Sequence, residues 1–195
     1  MCNVAGVTVS VHISCSPPVG SAEERLAKNI NGAATAAKNK CAPNVDELVQ
    51  LYRQTSVESE KSRIEQSIYD EYFTLLKGMD AQWHLKRKQA EMLTKMSLGD
   101  IRVELAVMSS SMILYCGVST VEALWYLQQM IDSGELSELF SSMLSLLANT
   151  DVIATVSLSL QEYDAAFALL NSAAGKDHLD HLLIVLMYKT ITVDI

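Results

Sequence analysis

The 195 residues are 49% hydrophobic, enough to bury a core, and only three prolines and eight glycines punctuate them, which favours long helices over a many-turned β fold. The net charge of −8 divides unevenly: residues 1–76 carry 7 basic and 9 acidic groups, 77–102 carry 6 and 3, and 103–195 carry 2 and 11. Such a chain repels polyanions everywhere but in its middle, which argues against general nucleic-acid binding.

Val7, Val9, Val11 and Ile13 alternate with Thr8, Ser10 and His12, a strand period that Pro17 and Pro18 stop. The other alternating stretch is Ile191, Val193 and Ile195. The two could pair, but terminal residues are ordered only when tied down, so residues 1–20 are read as an extended or disordered segment. From Ser21 the period becomes helical. Ser21 and Glu24 have capping-box spacing, and Leu26, Ile30, Ala33 and Ala37 follow on one face. Residues 29–43 read as a weak helix fading into a linker. Pro43 and Asn44 restart a short helix with Leu48, Leu51 and Tyr52 inward, so 21–54 is taken as weak helices and linker.

Thr55 and Glu58 make a second capping box before a seam of Val57, Ile64, Ile68, Tyr72, Leu75 and Met79. Through or past Gly78 this predicts a long central helical stretch to Met96. Asp100 is expected to cap a helix over 101–116, with Gly117 as its left-handed stop. Ser119 and Glu122 open a helix to about Met130, which Ser133 and Gly134 break. Leu136, Leu139, Phe140, Met143, Leu144 and Leu147 mark another, ending at Asn149, and Asp151 can start a further turn. Ser159 and Glu162 cap the next, with Tyr163, Phe167 and Leu170, before Gly175. Leu179 to Tyr188 predict a last, very apolar helix. Short connections force antiparallel neighbours. The predicted fold is all-α: an irregular antiparallel helical bundle over 55–195, with a long central helical stretch.

Four cysteines (Cys2, Cys15, Cys41, Cys116) form no CxxC pair and read as free thiols. No basic segment precedes an apolar run at the start. Val103 to Cys116 is too short to span a membrane and is broken by Ser109 to Ser111. A cytoplasmic protein is expected, or one exported without a cleaved leader.

Asp177-His178-Leu179-Asp180-His181 places His178 and His181 at i, i+3 and Asp177 and His181 at i, i+4, ligand types on one helix face. Aspartates opening a helix explain it as well, so no metal site is assigned. The basic stretch Trp83-His84-Leu85-Lys86-Arg87-Lys88 can meet an acidic partner, a lipid headgroup or the chain's own acidic half. On a helix its three successive charges fan over about 200°, so they cannot all serve one partner. Met92 with Met96, and Met108 with Met112, stand at helical spacing and are assigned to core. No nucleophile elbow, phosphate loop or dinucleotide fingerprint is present.

These features predict no enzyme and no cofactor, but a protein–protein interaction module. It would bind a partner protein or self-associate as a homo-oligomer through apolar helix faces, whose stripes exceed what one bundle hides. The contacts expected are Trp83, Lys86, Arg87, Lys88, Ile64 and Ile68. The alternatives are a subunit of a larger assembly, an accessory or effector protein acting on host proteins, and, behind these, a metal-dependent enzyme.

Overall fold

The computed structural model describes residues 6–39, 43–79 and 81–172. The alternation at the N-terminus is a strand, and a central one. β1 (Val7–Ser16) pairs antiparallel with β3 (Met112–Val118) on one side and β4 (Ile153–Leu158) on the other. With β2 (Ile101–Met108) the sheet order is β2-β3-β1-β4. Seven helices are placed around it among the described residues: α1 (Gly20–Asn39), α2 (Pro43–Gln54), α3 (Glu58–Leu76), α4 (Trp83–Leu98), α5 (Val121–Asp132), α6 (Glu135–Ala148) and α7 (Leu160–Asn171). The protein is therefore an α/β fold, and the all-α helical bundle expected from the sequence is overturned by this sheet. The region expected to be a bundle carries three of the four strands. The expected N-terminal tail is tied down by two neighbours, the condition under which a terminal strand is ordered. Pairing of β1 with Ile191, Val193 and Ile195 lies outside the described residues.

The largest correction falls at 101–118. Asp100 does not cap a helix. It takes a left-handed conformation (φ 61°) beyond α4, its carboxylate accepting from Ser119 Oγ at 3.0 Å and pairing with Arg53 at 3.5 Å. The chain then forms a hairpin turned by Ser109, Ser110 and Ser111, where the Ser109 amide donates to the Ser111 carbonyl at 3.0 Å. Met108 and Met112, at helical spacing in sequence, are cross-strand partners flanking that turn. A continuous apolar run fits a buried helix or a buried strand equally by periodicity. Here the β-branched Ile101, Val103, Val107, Ile113 and Val118 and the three-serine turn favour the strand pair. β4 likewise replaces the single turn expected after Asp151. Its buried Ala154 and Val156 alternate with exposed Thr155 and Ser157.

One face of the sheet makes the core. Val9 sits opposite Cys116, Val11 opposite Leu114 and Ile13 opposite Met112, all buried. Leu26 and Ile30 of α1, Met92 and Met96 of α4, Leu124 and Leu127 of α5, and Phe140 and Leu144 of α6 join them in one cluster. The other face carries Thr8, Ser10, His12 and Ser14, with Ile113, Tyr115, Thr155 and Ser157, all half-buried or exposed.

Both outer strands have side chains on their free edges. Asn31 of α1 faces Ala106 of β2 like a strand backbone, its Nδ2 donating to the Ala106 carbonyl at 2.8 Å and its Oδ1 accepting from the Ala106 amide at 2.6 Å. A register irregularity between Val103 and Leu105 further interrupts that edge. At β4, Ser137, Ser141 and Ser145 stand at i, i+4 and i+8 on α6. Their hydroxyls accept from the amides of Val156 (3.2 Å), Ala154 (2.8 Å) and Val152 (2.9 Å) in turn. Sheet edges left bare recruit other strands, and these are filled from within.

Candidate functional site

The largest cavity among the pockets described, about 1160 Å³, opens between α3, α4 and the C-terminal end of α6. α4 supplies its most charged wall. His84, Arg87, Lys88 and Glu91 stand at i, i+3, i+4 and i+7, one stripe of the helix, and all line the cleft. Gln66 and Tyr69 of α3 line a second side. Asn149, Thr150 and Asp151, just past α6, line the third, and Arg25 reaches in from α1. α6 ends there because Asn149 takes the left-handed conformation (φ 55°). Arg25 donates to the Leu147 carbonyl, one of the unpaired carbonyls of that helix end.

The charges are partly used. Lys88 and Glu91 pair at 2.9 Å. Arg87 is exposed and has no ion-pair partner among the described residues. α4 begins beside it after Gln82, which makes no side-chain cap, and its first turn holds no acidic residue. A smaller cavity of about 170 Å³ shares Gln66, Tyr69 and Glu91 and continues along α3 and α4 to Lys95. Burial lowers the Lys95 ammonium most, but the hydrogen bond and charge of Glu135, with the charges of Glu91 and Glu65, together outweigh it, so its pKa lies above the ordinary value. This contact with Glu135 joins the basic stretch to the acidic half of the chain.

The contacts expected from the sequence separate. Arg87 and Lys88 face the cleft. Lys86, 9% exposed, turns inward and donates from Nζ to the Lys77 carbonyl at 3.1 Å. Trp83, 54% exposed, sets its edge against Phe73 with centroids 4.6 Å apart. Ile64 and Ile68, 2% and 0% exposed, lie in the core. The apolar stripe of α6 is buried there as well. Of the stripes that looked surplus, that of α6 packs against β4 and that of α3 against α2 and α4, while 179–188 lies outside the described residues. Sequence reading missed Arg25, Gln66, Tyr69 and Asp151, which come from separate elements. Of the α4 wall, the sequence reading named His84, Arg87 and Lys88 within the basic stretch but not Glu91, which the helical period sets on the same stripe.

Among the described residues no cysteine lines the cleft. Burial, with Glu104 adding to it, pushes the Cys116 thiol up to about 12. Burial, then the charge and hydrogen bond of Glu23, do the same to Cys15, also to about 12. The thiolate is the nucleophile, so both groups stay protonated at neutral pH. Among the described residues no three histidine, cysteine or carboxylate side chains are placed to hold a metal ion. The cluster Asp177, His178, His181 lies outside the described residues. Among those residues, too, no helix is long and apolar enough to cross a membrane. Comparison with protein-family models, curated proteins and solved structures finds no match.

Proposed function

We propose that this chain is a protein-interaction module that receives a segment of a partner protein in the cleft between α3, α4 and the end of α6. The observation that carries this reading is the cleft's lining. Amide, hydroxyl, phenol, guanidinium, ammonium and carboxylate groups surround a wide-mouthed space, the mixture of donors and acceptors that a polypeptide matches. Catalysis needs a nucleophile and base, or a pair of groups with pKa values driven apart, gathered at one point. The cleft instead spreads its polar groups over three walls.

A photo-crosslinking residue at Gln66 tests this. In extracts of the native cell it is expected to give a discrete protein adduct that excess unlabelled protein suppresses. The same residue at Thr155, on the outer sheet face, is expected to give none. An adduct from Thr155 alone moves docking to the sheet and overturns the proposal.

A further inference from the structure

We infer that the docked segment is acidic, with a carboxylate side chain held by Arg87 beside His84; this rests on reading the cleft as the docking site. Three cationic side chains, Arg25, Arg87 and Lys88, line the cleft against two carboxylates, Glu91 and Asp151. The Lys88–Glu91 pair closes on itself at 2.9 Å. Arg25 already donates to the Leu147 carbonyl. What remains on the α4 wall is the Arg87 guanidinium, with no hydrogen-bond acceptor among the described residues, and the His84 imidazole one turn before it. A guanidinium presents parallel N–H groups that fit a carboxylate in bidentate fashion, a stronger contact than a neutral hydrogen bond.

The rest of the molecule sharpens that choice. Of the three divisions 1–76, 77–102 and 103–195, only 77–102 carries more basic than acidic groups in a chain of net charge −8. An anionic segment is repelled by the chain as a whole and attracted by this wall. The shape selects a polypeptide over a flat anionic membrane. Arg87 and Lys88 face a concavity, while Lys86 between them and Leu85 points into the protein and cannot join a flat basic patch. From His84 to Lys95 the α4 stripe runs eleven residues, about 16 Å at the helical rise. An extended chain of about five residues spans that length at roughly 3.3 Å each.

Binding of fluorescently labelled hexaglutamate to the full chain, followed by anisotropy, tests the inference. Hexaglutamate is expected to bind about tenfold or more tightly than hexaglutamine, and to weaken as salt rises, as charge-assisted contacts do. Arg87→Glu, at an exposed site, is expected to abolish the preference, whereas Arg102→Glu on β2 leaves it intact. Equal binding of the two peptides, or a preference that survives Arg87→Glu, overturns the inference. So does Arg87-dependent capture by phosphatidylserine vesicles without hexaglutamate binding, or displacement of hexaglutamate by a phosphoserine peptide but not by its glutamate counterpart. The two readings fail separately. A Gln66 adduct that persists in Arg87→Glu keeps the cleft and rejects the acidic segment, whereas a wild-type chain giving no Gln66 adduct removes both.

Discussion

Leu114 and Ile113 follow one another on β3, yet the pleat sends Leu114 into the core and Ile113 to the outer face beside Tyr115 and His12. The same division runs through β1, where Val9, Val11 and Ile13 are buried and His12 and Ser14 are exposed. The inner face receives the apolar stripes of α1, α4, α5 and α6, while α3 buries its own against α2 and α4. The outer face keeps hydroxyls, an imidazole and a few apolar side chains. Two residues with nearly the same transfer free energy should therefore differ widely in what they contribute. Leu114→Ala is expected to cost about 2–5 kcal/mol, the lost transfer energy plus the cavity left in a packed interior. Ile113→Ala is expected to cost about 1 kcal/mol or less, within the span of strand preferences at partly exposed positions. Urea unfolding of the two variants measures the contrast, and equal losses would mean that the outer face is covered as thoroughly as the inner.

The edges extend the comparison from faces to rims. Asn31→Ala removes the partner of both backbone groups of Ala106 and reopens the β2 edge. A loss of about 1–3 kcal/mol is expected, the range for leaving such groups unpaired away from water. Because an open edge templates strand pairing, the variant should also self-associate as concentration rises. Thermal unfolding with sedimentation velocity reads both effects. A variant of unchanged stability and unchanged mass would show that the irregularity at Val103 and Leu105 guards the edge alone. At β4 the load is shared. Ser141→Ala frees the Ala154 amide, removes the hydroxyl's donation to the Ser137 carbonyl within α6, and is expected to cost about 1 kcal/mol. Ser137→Ala and Ser141→Ala together should exceed the sum of the singles if the serines act as one row.

The helices were legible because their stripes recur with the helical period whether the surface they meet is a helix or a sheet. α6 ends at Asn149 as its left-handed residue required, and Ser159 caps α7 by accepting from the Glu162 amide at 3.1 Å. Other caps shifted. Thr120, not Ser119, caps α5, because Ser119 is turned to Asp100. At α1, Glu23 accepts from the Val19 amide where Ser21 and Glu24 were expected to cap. The strands were hidden for a different reason. The hairpin over 101–118 is two mostly apolar stretches joined by three serines, and β4 is six residues long. In neither does local pattern outweigh a helical reading, and what decides is pairing with β1, about a hundred residues or more away in sequence. The cleft was half legible on the same principle: one α4 stripe supplies His84, Arg87, Lys88 and Glu91, while Arg25 and Asp151 arrive only through tertiary packing.

α4 supplies the mildest test, because its two sides repeat the contrast within one helix. Toward the cleft it shows charged groups that solvent reaches. On its buried side Gln89 sits among Leu85, Met92, Leu93 and Met96, at i−4, i+3, i+4 and i+7, fully buried (0% exposed). Among the described residues neither its Nε2 nor its Oε1 has a hydrogen-bond partner. An amide taken out of water without compensation is a destabilising choice for a core. Gln89→Met keeps length and flexibility while removing the polar atoms, and is expected to raise stability by about 1 kcal/mol. For a chain of this size that is roughly 2–4 °C in melting temperature. Calorimetry of the variant beside the parent measures it. A fall of similar size would mean that the amide is satisfied by ordered water, and the buried side of α4 would then be polar by design, as the cleft side is.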